Sequence, residues 1–320
     1  MKKIILVCSL IILISSCDKK SKVEKEVEEI PLEIKVERFD KIFFESPVAE
    51  LPKIKATYPE FFPQGVEDKV WIEKMTNPLW KELYAEVQKA FGDFGPEKTA
   101  IEDVFRHAKY YFPETQVPEV IIVIGEMDYN NKVIYTGDLV LISLELYLGK
   151  DHEYYQSEFP AYIRQNFEKH QMTSDIVSAF TTGKIAEPTN KNLLSQMIYT
   201  GKELYIKDLL LPQTSDADKI GYSDEQIAWS QENEEYMWRY FVEGNLLYDS
   251  DSKLGNRFIN KAPFSKFYLE IDNESPGRIG TWVGWQIVRS FIKNNDVSLE
   301  QFLQMDAVEI FNKSKYKPKK

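Results

Sequence analysis

This chain is poor in the residues that usually announce chemistry. Its 320 residues include two cysteines and three histidines, and one of the cysteines, Cys8, sits inside the N-terminal apolar run. A disulfide framework or a cysteine-rich metal knot is therefore out of reach. His107, His152 and His170 are widely separated and no H-E-x-x-H occurs, so no metal motif is written in their spacing. His107 is expected to cap or line a helix surface, the other two to lie in exposed segments. The G-x-S-x-G elbow, the Walker A loop and a G-x-G-x-x-G after a strand are all missing, which removes the usual support for hydrolase, nucleotide and dinucleotide readings. Positive charge is short as well. Forty Lys and Arg face 51 Asp and Glu, for a formal net charge of -11. Phosphate-backbone binding depends on clustered cations, so this balance argues against nucleic acid as a partner. No cofactor is implied.

What is present begins at the N-terminus. Lys2 and Lys3 precede an apolar run from Ile4 to Ile14, followed by Ser15, Ser16 and Cys17. This order is that of an export signal, and the run is too short to span a bilayer as a mature helix. Ile14 to Cys17 resembles the lipobox of bacterial lipoproteins, in which the cysteine sulfur receives a diacylglycerol before cleavage. Residues 1–17 are thus expected to be a lipoprotein signal peptide ending at a lipidated Cys17. Multiple acyl chains would hold the protein firmly on a membrane. Residues 18–33 are charged and lack aromatics, the composition of a flexible tether. A globular body over 34–314 and a solvated basic tail over 315–320 complete the expected organisation.

Within the body, Asn77-Pro78 predicts a capped helix start ahead of Leu79, Leu83, Val87 and Phe91 at helical spacing. A second helix is predicted from Pro96 to about Tyr111. The period then changes: Val120 to Ile124 is a continuous β-branched run, and Val133 to Tyr135 and Leu139 to Ile142 flank the turn Thr136-Gly137-Asp138. This predicts a small antiparallel sheet of about three strands, which a strand near Ile34 to Arg38 could join. Further helices are predicted over 160–170, 174–184, 190–211 and 223–248, the last opened by a Ser223 to Gln226 capping box. The fold class expected is α+β, a mainly α-helical single domain with a small antiparallel sheet. Glu232, Glu234 and Glu235 read as a solvated acidic face.

Ser275 to Phe291 is the most unusual segment. Gly277, Gly280 and Gly284 weaken a helix unless something packs tightly or binds closely there. Arg278, Trp282, Trp285 and Arg289 offer planar donors and large amphipathic surfaces. Two readings stay open: a buried helix with small residues at a crossing, or a binding groove lined by those four side chains.

This segment, with Tyr236 to Glu243, Ile259 to Phe264 and the lipobox, resembles the GldB family, lipoproteins of gliding bacteria. The resemblance covers nearly the whole chain and implies a membrane-anchored protein facing the periplasm, required for gliding motility, with no established enzymatic activity. Only Cys17 carries a role over at residue level. The expected partners are the membrane, through the lipid, and other envelope or gliding-machinery proteins. A more distant likeness is to zinc peptidases of the zincin type, whose metal helix corresponds to 174–184 here. That segment holds Asp175 and Ser178 but no histidine, and the third ligand position falls at Thr200. The resemblance therefore implies a zincin-like scaffold lacking its metal ligands. The expectation is a non-catalytic binding or accessory component; the alternative class is a zincin-like metallopeptidase or an envelope-polymer hydrolase.

Overall fold

The computed structural model describes residues 21–319, so the signal peptide and Cys17 lie outside the described residues. The chain opens with helix α1, Lys22–Glu28, then a short strand β1, Val36–Glu37. Two long helices follow, α2 (Pro78–Phe91) and α3 (Gly95–Tyr111). The expected cap is present at α2, where the Asn77 side chain accepts from the Leu79 N–H at 2.8 Å.

Strands β2 (Glu119–Val123), β3 (Val133–Tyr135) and β4 (Leu139–Ser143) complete a four-stranded sheet in the order β1-β2-β4-β3. The sheet is mixed, which corrects the antiparallel expectation. The predicted β3–β4 hairpin forms, with Gly137 in the left-handed region at its turn. Yet β3 folds back along the outer edge, which leaves β4 to pair with β2 in parallel, Val120 opposite Val140 and Ile122 opposite Ile142. A parallel pair covered on both faces accounts for the unbroken apolar run. Val120 and Ile122 enter the main core, while Ile121 enters a smaller aromatic core built by Phe39, Phe43 and Phe62.

The second half is helical: α4 (Gln171–Thr181), α5 (Leu193–Leu210), α6 (Ile279–Asn294) and α7 (Ala307–Ser314) are its principal members. Helices α5 and α6 cross backbone to backbone. A Cβ on Gly284 would lie 1.8 Å from the Met197 carbonyl oxygen, and one on Gly201 would lie 2.5 Å from the Gly284 carbonyl oxygen. Only glycine permits that approach, and it seats Trp282 and Trp285 in the core.

Four expectations are corrected by particular contacts. The tether predicted over 18–33 is helical across Lys22–Glu28: Ser21 and Glu24 form a reciprocal capping box, Val27 is buried, and the Tyr110 hydroxyl of α3 donates to Glu26 at 2.9 Å. The helix expected over 223–248 divides into Asp224–Glu232 and Glu234–Glu243, because the Asn233 side-chain amide donates to the Trp229 carbonyl and competes with the backbone ladder. Helix 160–170 shrinks to the single turn Ala161–Arg164. Finally, the basic tail is pinned. Tyr316 stacks edge-on against Trp238 with ring centroids 5.2 Å apart, and its hydroxyl donates to Glu234 at 2.6 Å. Glu234 is consequently buried rather than part of a solvated acidic face.

Candidate functional site

A cleft of about 610 Å³ opens where the start of β3, α4, α5, the Lys219–Gly221 turn and the segment 259–261 meet, with Arg278 on its wall. A larger groove near Phe112 and Leu303 carries only scattered charge. The smaller cleft gathers ionisable groups from six stretches of chain.

Helix α4 presents Ser174, Asp175 and Ser178 to it, residues spaced so that they share one helical face. Asp175 is held from two sides: Lys132 Nζ lies 2.5 Å from its carboxylate, and the buried Tyr147 hydroxyl donates to it at 2.8 Å. Burial, reinforced by Asp175, raises the Tyr147 pKa well above the usual phenol value, so the hydroxyl remains a donor. Lys132 also donates to the Asn166 carbonyl at 3.0 Å, and its ammonium lies 4.6 Å from the Tyr147 ring centre. Across the cleft, Ser178 donates to Glu203 of α5 at 2.8 Å.

Lys207 stands between the two carboxylates. Its ammonium lies 3.8 Å from Glu203 and donates to Ser174 Oγ and to the Lys219 carbonyl, each at 3.0 Å. Burial lowers its pKa, more than Glu203 and Asp175 restore, and Arg278 and Lys132 push the same way. Thr200, the position of a third metal ligand in the zincin comparison, lines the cleft but donates to the Gln196 and Met197 carbonyls of its own helix.

Two further cations complete the lining. Lys261 is solvent-reachable at the mouth, yet enough protein surrounds its ammonium that burial pushes the pKa down to about 8, with Asp175 opposing the shift. It forms no hydrogen bond or ion pair among the described residues, and its ammonium lies 5.9 Å from the centre of the Tyr129 ring. Arg278 donates once, to the Ile220 carbonyl at 2.8 Å. Its backbone is left-handed, with φ 63° and ψ 27°, just ahead of α6.

The four groove residues expected from sequence thus separate. Arg278 reaches the cleft. Trp282 and Trp285 are buried in the core and are not part of this cleft's lining, because the glycine crossing draws their helix inward. Arg289 lies outside the cleft lining, in a structural cluster: its guanidinium pairs with Asp208 at 2.7 Å and Asp216 at 2.6 Å and stacks 3.7 Å over Trp285. Lys219 joins them, 3.1 Å from Asp208. Burial works against the Asp216 charge, but Arg289 outweighs it and keeps that carboxyl below its usual range.

The histidines take no part. His107 is buried rather than lining a surface, its Nδ1 2.9 Å from the Asp103 carbonyl, while His152 faces Glu86 and His170 faces Asp218. One buried acid stands apart: Glu145 is fully enclosed beneath the Gly125–Met127 loop, and burial raises its pKa to about 7.

Sequence reasoning missed Lys132, Lys207 and Lys261. Each is an isolated lysine in its own segment, and only the fold brings them together.

Comparison with known proteins adds one match. The family described as Gliding motility protein GldB matches residues 20–318. No curated protein and no solved structure matches.

Proposed function

We propose, for a chain that belongs to the GldB family of gliding motility proteins, that it works in the cell envelope as a lipid-anchored, non-catalytic binding component of the motility machinery. One observation supports the non-catalytic part. The cleft carboxylates that a metal ion would need already face ammonium groups, Lys132 at 2.5 Å from Asp175 and Lys207 at 3.8 Å from Glu203. A zinc ion placed there would displace or repel both cations, and the surrounding donors are hydroxyls, without the imidazoles zinc prefers. The residues do not fit a catalytic metal. The cleft instead favours recognition: a pre-formed concavity with polar groups fixed by their neighbours.

The test is metal content together with turnover, measured on the full-length lipoprotein in detergent. Dialysis against zinc is expected to leave far less than one equivalent bound. Stoichiometric zinc that disappears in Asp175→Ala and Glu203→Ala would overturn the reading. Anchoring is tested separately: Cys17→Ala is expected to abolish incorporation of radiolabelled palmitate, and retained label would refute lipidation there.

A second reading, hydrolysis of an envelope polymer, has the Ser174–Lys207 contact in its favour, since a lysine of lowered pKa can activate a serine. The arrangement around it favours structure. Ser174 is buried and within hydrogen-bonding distance of the Asp218 and Lys219 carbonyls, while Lys207 donates to its oxygen. A fluorophosphonate adduct on Ser174 would revive the hydrolase.

A further inference from the structure

Counting the charges that face the cleft gives a surplus of one sign. Lys132, Lys207, Lys261 and Arg278 face Asp175 and Glu203, while the ammonium of Lys219, also in the lining, is committed to Asp208. Four basic side chains against two carboxylates leave Lys261 and Arg278 without a carboxylate in contact among the described residues, in a protein whose formal net charge is -11. Lys132 and Lys207 face the carboxylates most closely; Lys261 forms no ion pair among the described residues, and Arg278 spends one donor on a neutral carbonyl.

Arg278 carries a second, independent mark. A non-glycine residue in the left-handed region costs of order 1 kcal/mol or more, and glycine would occupy that conformation freely. Its neighbour Gly277 shows that glycine is available to this turn, where a Cβ would meet the Ala262 carbonyl oxygen at 2.1 Å. Strain retained at a residue whose guanidinium faces a cleft is the pattern of a functional position.

We infer that the cleft is an anion-recognition site in which Lys261 and Arg278 hold a phosphate or carboxylate group of a polar ligand whose body lies against Tyr129, Ser178 and Thr200. This deepens the binding reading above and rests on it. The body is assigned from its lining: a tyrosine ring at the mouth, hydroxyls on both helices and the Asn131 amide, groups that pair with hydroxyl-rich matter rather than with an acyl chain. Arginine supplies the planar fork for the anion and lysine the point charge.

The experiment uses the full-length lipoprotein in detergent with its lysines reductively ¹³C-dimethylated, a change that keeps their charge. The Lys261 resonance is assigned by its loss in Lys261→Gln, then followed during titration with inorganic phosphate, glucuronate, glucose and chloride at matched ionic strength. A saturable shift with phosphate, glucuronate or both supports the site, and the stronger of the two identifies its charged group; glucose and chloride are expected to give none. Arg278→Gln and Arg278→Gly should each weaken binding at least tenfold while the protein remains folded by circular dichroism. A phosphate and glucuronate response no larger than that of chloride, or unchanged affinity in both Arg278 variants, would overturn the inference. Turnover of a polymer by the same sample would sink the non-catalytic reading yet leave anion binding standing.

Discussion

Helix α5 carries charge along two of its sides and treats it in opposite ways. Where it meets α6 and the turn before Gly221, Asp208 and Asp216 balance Arg289 and Lys219, and the four form one connected set of ion pairs. Where it faces the cleft, Glu203 and its neighbour Asp175 are outnumbered by basic side chains, and Lys261 and Arg278 have no carboxylate in contact among the described residues. Lys219 touches both sides: its ammonium serves the balanced set while its carbonyl accepts from Lys207. Buried charge is tolerated when paired and hydrogen-bonded and is costly otherwise. The balanced side therefore reads as architecture. The unbalanced side keeps its surplus where solvent, or an incoming anion, can neutralise it.

Mutation can break this contrast at several strengths. The largest effect is expected at Gly284→Ala, since the new Cβ would force the α5–α6 crossing apart, at a cost of about 3 kcal/mol or more in urea unfolding. Next is Asp208→Asn, which strands Arg289 and Lys219 with a single carboxylate and is expected to cost about 2–3 kcal/mol by the same measurement. A comparable loss on mutating Lys261 would erase the distinction between the two sides.

Glu145 sharpens the comparison through pH, being a fully buried acid that no cation contacts among the described residues. Its folded pKa of about 7 stands above the ordinary value of 4.5, so the folded state binds more protons between those limits. Stability is expected to be greatest below pH 4.5 as far as this group is concerned, to fall as pH rises through 7, and to be lower above it by about 3 kcal/mol. Glu145→Gln should flatten that slope when unfolding free energies are compared at pH 5 and pH 8.

Lys132→Met tests whether location or surplus matters. Lys132 lies in the cleft but is paired, so its loss should cost about 1–2 kcal/mol through the exposed need of Asp175. Lys261→Met is expected to change stability by less than about 0.5 kcal/mol, measured the same way, because nothing in the fold leans on its ammonium.

Much of this fold is legible in the residues themselves. Asn77-Pro78 and Ser223 to Gln226 signal helix starts through side-chain acceptors that satisfy free N–H groups, and both caps are present. The β3–β4 hairpin is written in its glycine turn. The parallel pairing of β2 with β4 is not, because a short apolar run carries no mark of its neighbour's direction. The glycines of α6 announce close approach but leave open whether backbone or ligand does the approaching; Met197 settles it as backbone. For the cleft, Arg278 stood out by its glycine-rich setting. Lys132, Lys207 and Lys261 did not, since a lone lysine reads as a solvated surface charge until three distant segments converge around it.

Helix α1 has a consequence for geometry at the bilayer. Capped by Ser21 and docked on α3, it begins at Lys22, only five residues after Cys17. Five residues reach at most roughly 18 Å even when fully extended. On the proposal that Cys17 carries acyl chains, the domain would be held within roughly 18 Å of that residue rather than swing on a long leash through the envelope.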